Sequence, residues 1–570
     1  MAQKNARTRA GEAEIIELVI NAEVMEPDAR DGFGGGPGGR GPTLVGGPSD
    51  GEPSDLELAS RLLNDLGNAE RLIVRHGDDL LAVDEMGWCV WDGWRWLAEA
   101  GPDEAQKLAH LTAKAIFNEA DALQKIGEAE IVELIAEAPL PALSTDNPSS
   151  EQQKAYDAVL ADHNKKLRDL RTYWKKRVDG LRKFASNSGN KSKLDAMLSQ
   201  AQPYLRVPPR ELDAHPFLLN VGNGTLEMGE ADKEGTVEVA LCSHRRDHKI
   251  TRLAEVKYDP EATTPEWDKF LKTVQPDPEM RGFLQRFFGY CLTGDTGEQV
   301  MAIAHGVGAN GKSTMLETLS EVMGDYAVTV PITSFLYNDH RGGGDARPDL
   351  ARLPGARLVL AAEPEVGARF SESTIKSVTG GERMAVRHLF KDMFEFVPAF
   401  KLIVSCNIKP NIRGSDDGIW RRLLIIPFEV VIPKDERVNQ AVLKGKLLAE
   451  RNGILNWALD GYRMWREEGL RPPLAIIEAT DEYRTDTNPV GAFMQECVEE
   501  EEWSKLQGSP LYQNYCRWAK AQSLEPLKLT SFGRRLRDMG YHKEKGKNVF
   551  YLGISMKAGW DEGLDQVDAN

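Results

Sequence analysis

One stretch of the sequence constrains the fold more than any other, because an apolar run, a glycine-rich turn and a helical run follow one another directly. It reads VMAIAHGVGANGKSTMLETLSEVMG and contains Gly-x-x-x-x-Gly-Lys-Ser as Gly306, Gly311, Lys312 and Ser313. The apolar run before the turn predicts a strand, and the residues after it predict a helix. Further apolar runs (RLVLAAE, KLIVSCN, RRLLIIPF) alternate with helical segments up to about Leu470. This rhythm predicts an α/β sheet flanked by helices.

The glycine-rich loop is typical of a phosphate-binding site. Its glycines allow a turn whose backbone N–H groups face a β-phosphate, Lys312 reaches the β and γ oxygens, and the Ser313 hydroxyl holds Mg²⁺. The alternative, a glycine-rich turn with an incidental lysine, is disfavoured by the matching strand and helix on both sides. We therefore expect ATP and Mg²⁺ as cofactors. The expected binding residues are Gly306, Val307, Gly308, Ala309, Asn310, Gly311, Lys312, Ser313 and Thr314.

Acidic residues follow the next β-like run after the loop. RLVLAAEPE ends in Glu363 and Glu365, which are candidates to hold Mg²⁺ and to activate water, and we list Glu363 as the metal ligand beside Ser313. Their spacing does not decide which carboxylate has which role. Both carboxylates also fit solvated charges at a strand end.

Three more polar residues follow in the order that a nucleotide hydrolase needs. Asn407 ends the run FKLIVSCN and is of a type that orients the attacking water beside the γ-phosphate, although an asparagine before a turn is usually a turn former. Arg421 and Arg422 precede the run LLIIPF. They either pair with nearby aspartates or reach a neighbouring subunit's γ-phosphate as an arginine finger, with Arg422 preferred.

Length and composition bound the remaining possibilities. The 570 residues suffice for about three or four domains. A formal charge of −17 excludes a globally basic coat but not a local basic groove. No apolar run approaches the about 20 residues needed to span a bilayer, so we expect a cytoplasmic protein without membrane contact. Six scattered cysteines without a Cys-x-x-Cys pair argue against disulfides and a cysteine zinc site.

The chain divides into four predicted regions. Residues 1–55 contain a Gly/Pro-rich linker, and residues 56–255 form a mainly helical domain. Residues 256–475 carry the candidate nucleotide site. Residues 476–570 combine short helices with a hairpin, as in a winged helix. The fold class is multidomain α/β.

The C-terminal region also concentrates positive charge. Between Lys528 and Lys547, seven basic residues stand against two acidic ones. The segment TSFGRRLRDMGYHKEKGKNVFYLGI reads as a recognition helix plus wing, in which Arg534 and Arg535 grip DNA phosphates. A solvated basic helix that binds nothing is the other interpretation.

Together these motifs resemble the superfamily 3 helicases of the AAA+ class, within the poxvirus-like and phage or plasmid primase-helicase group. The matching segments are GVGANGKST, LVLAAEPE, IKSVTGGERMAVRHLFKDMFEFVPAFKLIVSCN and WRRLLIIPF, in that order. Upstream, GWCVWDGWRW and ELDAHPFLLNVGNGTLEM look like the helical domain that precedes the motor in that group. The resemblance implies an AAA+ P-loop ATPase core, a homo-oligomeric ring that is usually hexameric, ATP sites between subunits and DNA in the central channel.

The same resemblance implies a DNA-gripping hairpin just before the strand that ends in Asn407. MAVRHLFKDMFEFVP has the alternation of a hairpin, with Arg387, His388 and Lys391 near its tip. These cations would neutralise phosphates of a strand in the pore, although hairpin tips are also commonly charged for solubility. Lys376 matches the preceding part of the motif and contacts either DNA or ATP.

The chain departs from the family form that begins with a primase domain. No paired acidic residues at a strand end and no Cys/His cluster occur in the first 55 residues, so we expect a separate primase or polymerase partner. Our first interpretation is an ATP-driven helicase that binds single-stranded and forked DNA and unwinds DNA in phage, prophage or plasmid replication, in a bacterial cytosol. The alternatives are an ATP-switched replication initiator or helicase loader and, more distantly, a packaging motor.

Overall fold

The computed structural model describes most of the chain in two compact units. The described residues are 54–138, 149–231, 237–338, 347–362, 364–365, 367–387, 393–412, 417–435, 437–522, 524–546 and 548–560. The first unit comprises Met1–Trp91 and Leu97–Pro209, and the second comprises Asp92–Trp96 and Arg210–Asn570. The linker predicted within residues 1–55 lies almost wholly outside the described residues. Among the described residues, no helix combines the length and apolar character needed to cross a bilayer.

The first unit is mainly helical, as the sequence predicts. Its elements are α1 (Asp55–Leu58), α2 (Asp65–His76), β1 (Leu80–Val83), β2 (Gly87–Trp91), β3 (Trp96–Leu97), α3 (Gly101–Ala136), α4 (Ser150–Ser188), α5 (Lys191–Ala201) and β4 (Arg206–Val207), although Trp96 of β3 is counted with the second unit. Strand β1 pairs antiparallel with β2 and parallel with β4. Helices α3 and α4 pack side by side through apolar residues that include Ile116, Leu123, Trp174 and Val178.

The second unit contains the predicted α/β sheet. Its strands are β8 (Met301–His305), β9 (Ala327–Thr329), β10 (Leu358–Ala362), β13 (Lys401–Cys406) and β14 (Leu423–Pro427). They are all parallel, in the order β14-β8-β13-β10-β9. The four apolar runs of the sequence became β8, β10, β13 and β14, so this part of the prediction is confirmed. The three-residue β9 was not predicted.

Helices cover both faces of this sheet, which explains why its strands are apolar throughout rather than alternating. They are α6 (Pro265–Val274), α7 (Pro278–Cys291), α8 (Lys312–Met323), α9 (Glu372–Thr379), α10 (Asp417–Trp420), α11 (Gln440–Ala449), α12 (Arg451–Glu468) and α13 (Leu474–Thr487). Successive strand residues enter different cores. Ala302 belongs to the same core as Phe287 of α7, whereas Ile303 belongs to the same core as Ile375 of α9.

Three antiparallel strands precede the sheet in the chain. They are β5 (Leu218–Val221), β6 (Gly224–Ala231) and β7 (Val237–Cys242), in the order β5-β6-β7. The sequence placed residues 210–255 in the helical domain, but the structure places them in the second unit. The reason is packing, because Leu219 and Leu226 share one core with Phe283.

A β-hairpin and a C-terminal region complete the second unit. The hairpin consists of β11 (Met384–Val386) and β12 (Phe394–Phe396). The C-terminal elements are α14 (Pro489–Cys497), β15 (Val498–Gln507), α15 (Gly508–Ala521), α16 (Leu529–Asp538), β16 (Lys543–Lys545) and β17 (Val549–Met556). The three strands form an antiparallel sheet in the order β15-β17-β16. Phe493, Tyr515 and Phe532 belong to a separate apolar cluster that holds this region together.

Candidate functional site

The glycine-rich loop lies at the carboxyl edge of the parallel sheet, between β8 and α8. Its backbone requires small residues at both ends. A Cβ on Gly306 would come within 2.2 Å of the Phe428 carbonyl oxygen, and Gly311 has a φ of 77° with Val274 close by. Ala309 also adopts a left-handed conformation, with a φ of 65°. Residues 307–309 form an exposed arch above this constrained base.

Asn310 points inward and braces the arch. Its Nδ2 donates hydrogen bonds to the carbonyl oxygens of Val307, at 2.6 Å, and Phe428, at 3.1 Å. Its Oδ1 accepts the backbone N–H of Lys312 at 3.3 Å. The sequence identified Asn310 only as a member of the loop. Its bracing role depends on Phe428, 118 positions further along the chain, and no local pattern reveals that contact.

Lys312 is buried beneath the arch, with only 5% of its surface exposed. Its ammonium donates to the carbonyl oxygens of Gly306 and Cys406, each at 3.0 Å, and to Oδ1 of Asn407 at 3.1 Å. Ser313, the next residue, is exposed, whereas Thr314 is buried in α8. Two residues that the sequence singled out independently, Lys312 and Asn407, are therefore in direct contact.

Two side chains at the strand ends beside Lys312 are neutral. Burial lowers the pKa of His305, and the positive charges of Lys409 and Lys312 lower it further, so the imidazole is neutral at pH 7. Burial raises the pKa of the Cys406 thiol to about 11, so this group is also neutral. The sequence analysis did not select His305 or Cys406. Their positions as the last residues of paired parallel strands are the signal that was available.

The candidate acids follow β10, which pairs with β13. The last residue of β10, Ala362, lies opposite Ser405, two positions before Asn407. Glu363 is outside the described residues. Glu365 is exposed, and its carbonyl oxygen accepts the backbone N–H of Ala368 at 3.0 Å in a tight turn.

The two arginines have different surroundings. Arg422 is 9% exposed and donates to the carbonyl oxygen of Gly418 and, at 3.4 Å, to Oε1 of Gln299. Arg421 is exposed. The sequence preferred Arg422 for contact with a neighbouring subunit. In the structure, the guanidinium of Arg422 is directed into its own chain.

The candidate DNA-binding residues lie on two separate elements. Arg387 directly follows β11 at the hairpin and is half-buried, whereas His388 and Lys391 are outside the described residues. Lys376 is half-buried on α9. On α16, Arg534 is exposed and Arg535 is half-buried.

Two family models match parts of the chain. The model described as D5 N terminal like matches residues 69–276. A model described as a family of unknown function, DUF5906, matches residues 304–422, which include the glycine-rich loop, Asn407 and both arginines.

Curated relatives come from large DNA viruses. The protein named "Putative helicase L207/L206" of Acanthamoeba polyphaga mimivirus is 29% identical over 333 residues, which cover 55% of this chain and 34% of that protein. "Putative helicase 022R" of Frog virus 3 is 28% identical, with coverages of 45% and 28%. "Putative primase C962R" of African swine fever virus is 23% identical, with coverages of 45% and 26%. The chain is related to viral proteins named as helicases and primases.

This relationship covers only part of the relatives. The chain spans about a third or less of their length. Among solved structures, the apo C terminal region of NrS-1 aligns with 59% of this chain and 95% of its own, at 12% identity. Its TM-score of 0.34 is too low to carry an argument.

Proposed function

We propose that the chain is an ATP-driven, ring-forming DNA helicase of the AAA+ superfamily 3 type, acting in the replication of a phage, prophage or plasmid. The observation that carries the proposal is the contact between the Lys312 ammonium and Oδ1 of Asn407 at 3.1 Å. It joins a lysine that would bind phosphate to an amide that would orient water, and both roles contribute to γ-phosphate hydrolysis.

The loop fits a nucleoside triphosphate with Mg²⁺. The exposed arch offers backbone N–H groups, and the Lys312 ammonium lies beneath it, where it donates to two carbonyl oxygens and to Oδ1 of Asn407. When bound, ATP with Mg²⁺ supplies an activated phosphoryl group. Lys312 would exchange carbonyl partners for phosphate oxygens, while Ser313 and one of the acids Glu363 and Glu365 would hold the metal.

The strand order supports the role of Asn407. Strand β13 lies between β8, which leads into the loop, and β10, which leads to the acids. Asn407 follows β13 directly and so lies between the lysine and the acidic turn. In this position its side-chain amide would align a water molecule with the γ-phosphate.

Arg421 is the proposed finger for a neighbouring subunit. It precedes β14, so it lies at the amino edge of the sheet, whereas the loop follows the parallel strand β8 at the carboxyl edge. Five residues of strand separate the two edges by about 16 Å. Arg421 is therefore far from the Lys312 of its own chain, and an action in trans across a ring interface is the one that the topology favours.

Two elements are proposed to hold DNA. In a ring, the β11–β12 hairpin with Arg387, His388 and Lys391 would line the channel. The C-terminal elements, in the order α-β-α-α-β-β, support a winged helix with α16 as the recognition helix and β16–β17 as the wing. This second element also favours the other candidate, an initiator or loader that binds duplex DNA and uses ATP as a switch.

One experiment separates the two candidates. The full chain is assayed for ATP hydrolysis with and without single-stranded DNA and for strand displacement on a forked duplex. A helicase hydrolyses ATP several-fold faster with single-stranded DNA and displaces the strand. Slow, DNA-independent hydrolysis with tight binding to one duplex sequence would replace the helicase by the initiator.

Charge reversal assigns the two DNA elements. Arg387→Glu should abolish strand displacement and DNA stimulation while basal hydrolysis persists, and the salt slope of DNA binding should fall by about one per site. Arg534→Glu with Arg535→Glu should weaken loading but spare unwinding by rings already loaded. Lys446→Glu, an exposed lysine on α11, is the control. Normal unwinding by Arg387→Glu would remove the hairpin from the proposal.

A further inference from the structure

Three side chains with metal-ligating atoms meet on the β6–β7 ribbon, away from the glycine-rich loop. They are Glu227 on β6, Cys242 at the end of β7 and His248 just beyond it. One potential ligand atom from each residue lies within 4.8 Å of the other two. The first of these residues is exposed, the second is half-buried and the third is buried.

Strand pairing explains why these residues meet. Cys242 lies directly opposite Thr225, and Glu227 is two positions further along β6. Because side chains alternate along a strand, Glu227 and Thr225 share a face, and Glu227 is a diagonal neighbour of Cys242. A short turn over Arg246–His248 then brings His248 back to this face. The Trp96 Nε1–H donates a hydrogen bond to the Arg246 carbonyl oxygen of this turn at 3.0 Å.

The histidine is buried with an unsatisfied nitrogen. His248 is 9% exposed, and its Nδ1 has no hydrogen-bond partner among the residues that the structure describes. Leaving a buried polar atom unpaired is costly, so such atoms usually have a partner such as a water molecule or an ion. Next to it, Cys242 Sγ lies 3.3 Å from the Thr225 carbonyl oxygen. Burial, and secondly the Glu227 carboxylate, raise the pKa of the Cys242 thiol.

We propose that Glu227, Cys242 and His248 form a Zn²⁺ site. Thiolate, imidazole and carboxylate are zinc ligands at about 2.0–2.3 Å, and small side-chain movements would bring three atoms already within 4.8 Å to that geometry. The soft thiolate and the imidazole select zinc over Mg²⁺, which prefers oxygen ligands. The Cys242 proton leaves to solvent on binding, and a water completes the tetrahedron. The metal ties the β6–β7 ribbon to the turn that ends at His248.

The test measures zinc binding by the full chain. After removal of metal with a chelator, the chain is titrated with Zn²⁺ in competition with a chromogenic zinc indicator. We expect one tight site per chain. Cys242→Ser and Glu227→Gln should each weaken it at least about 100-fold, whereas Cys516→Ser, a half-buried cysteine on α15, should leave it unchanged.

A cobalt absorption spectrum and protection of Cys242 from alkylation test the site even if a variant folds poorly. Co²⁺ in place of zinc should give a thiolate-to-cobalt charge-transfer band that Cys242→Ser lacks and Cys516→Ser retains. Bound Zn²⁺ should protect Cys242 of the unmutated chain from alkylation. Absence of a tight site in the unmutated chain, or equal zinc affinity of Cys242→Ser and Cys516→Ser, would overturn the proposal. Neither readout depends on ATP hydrolysis.

Discussion

The two edges of the parallel sheet each bury a lysine, and the two lysines differ in what covers them. At the carboxyl edge, Lys312 donates to two carbonyl oxygens and to Asn407 under an exposed arch. At the amino edge, Lys401 begins β13 and donates to the carbonyl oxygens of Thr293, at 2.5 Å, and Asp295, at 3.1 Å.

The two lysines make similar hydrogen bonds in different surroundings. The Lys401 ammonium also lies 4.5 Å from the centre of the Tyr290 ring and is 1% exposed, so packed protein surrounds it. Lys312 is covered on one side by a loop of three exposed residues. Ligands of open α/β sheets bind outside the carboxyl ends of the strands, where loops can yield to them. The exposed loop beside Lys312, rather than the lysine's own hydrogen bonds, therefore distinguishes the edge that is open to a ligand.

The largest expected effect is a loss of ATP hydrolysis when Lys312, at the carboxyl edge, is replaced. Lys312→Ala should lower ATP hydrolysis at least about 100-fold, since it removes the charge that would face the phosphates. A melting temperature a few degrees lower is expected as well, because the carbonyl oxygens of Gly306 and Cys406 lose a donor. Steady-state hydrolysis and thermal unfolding check both effects, with Lys446→Ala as control. Turnover within a factor of two of the unmutated chain would contradict the assignment.

At the amino edge, Arg421 should affect ATP hydrolysis only at the site of a neighbouring subunit. Arg421→Ala should lower hydrolysis at least about tenfold without changing the melting temperature, since its side chain is exposed and is proposed to act in trans. Mixing Arg421→Ala with Lys312→Ala chains restores some interfaces that have both groups intact, so activity should partly recover.

Arg422→Ala is the matched variant for Arg421. It should mainly destabilise the chain, by about 1–3 kcal/mol, because its buried hydrogen bonds to Gly418 and Gln299 are lost. Denaturant unfolding and the mixing assay test both variants. Recovery by Arg422→Ala and none by Arg421→Ala, in confirmed mixed rings, would reverse the assignment.

Lys401→Ala should give the opposite result from Lys312→Ala. We expect a loss of about 2–4 kcal/mol in the free energy of unfolding, from the cavity and the two unpaired carbonyl oxygens. Hydrolysis per folded chain should stay within about a factor of two, because Lys401 lies at the edge away from the loop. Denaturant unfolding together with active-site titration provides the measurement. A large loss of turnover in the folded variant would show that Lys401 also contributes to hydrolysis and would contradict this expectation.

The last expected effect is a pH dependence of stability due to Lys401, which is spread over several pH units. Burial lowers the pKa of its ammonium from 10.5 to about 7. Above pH 7 the unfolded chain therefore binds more protons than the folded one, so the free energy of unfolding rises with pH towards 10.5, by at most about 1.4 kcal/mol per unit. Subtracting the pH profile of Lys401→Ala isolates this contribution. A difference that falls between pH 7 and 9 would contradict the direction.

The sequence predicted the parts of the site that depend on local patterns. Apolar runs identified four strands of the sheet, and the order of loop, acid, asparagine and arginine placed Lys312 and Asn407 at one edge. The preference for Arg422 over Arg421 could not be tested from the sequence, because adjacent residues differ only in which one the fold turns inward. The group Glu227, Cys242 and His248 was missed because its members share no short motif. They meet only through the register of β6 and β7.

Domain boundaries were predicted less well, for a related reason. Residues 210–255 have the alternation of strands in a stretch assigned to a helical domain, and nothing local shows that Leu219 and Leu226 share a core with α7. Membership in a core is a property of contacts distant in sequence. A change in amino-acid composition along the chain, by contrast, identifies a linker but does not show which core a strand joins.

The helical pair α3 and α4 in the first unit has a mechanical consequence. Helix α4 has 39 residues and is therefore about 58 Å long. Gly127 of α3 fits against Trp174 so closely that a Cβ would lie 2.6 Å from the indole, while Val132 and Ile135 beyond it are exposed. A rod of this length is a lever arm, in which a tilt of about 10° at one end displaces the other by about 10 Å. A small change in the tilt of α3 and α4 at one end would thus displace their other end by about one helix diameter.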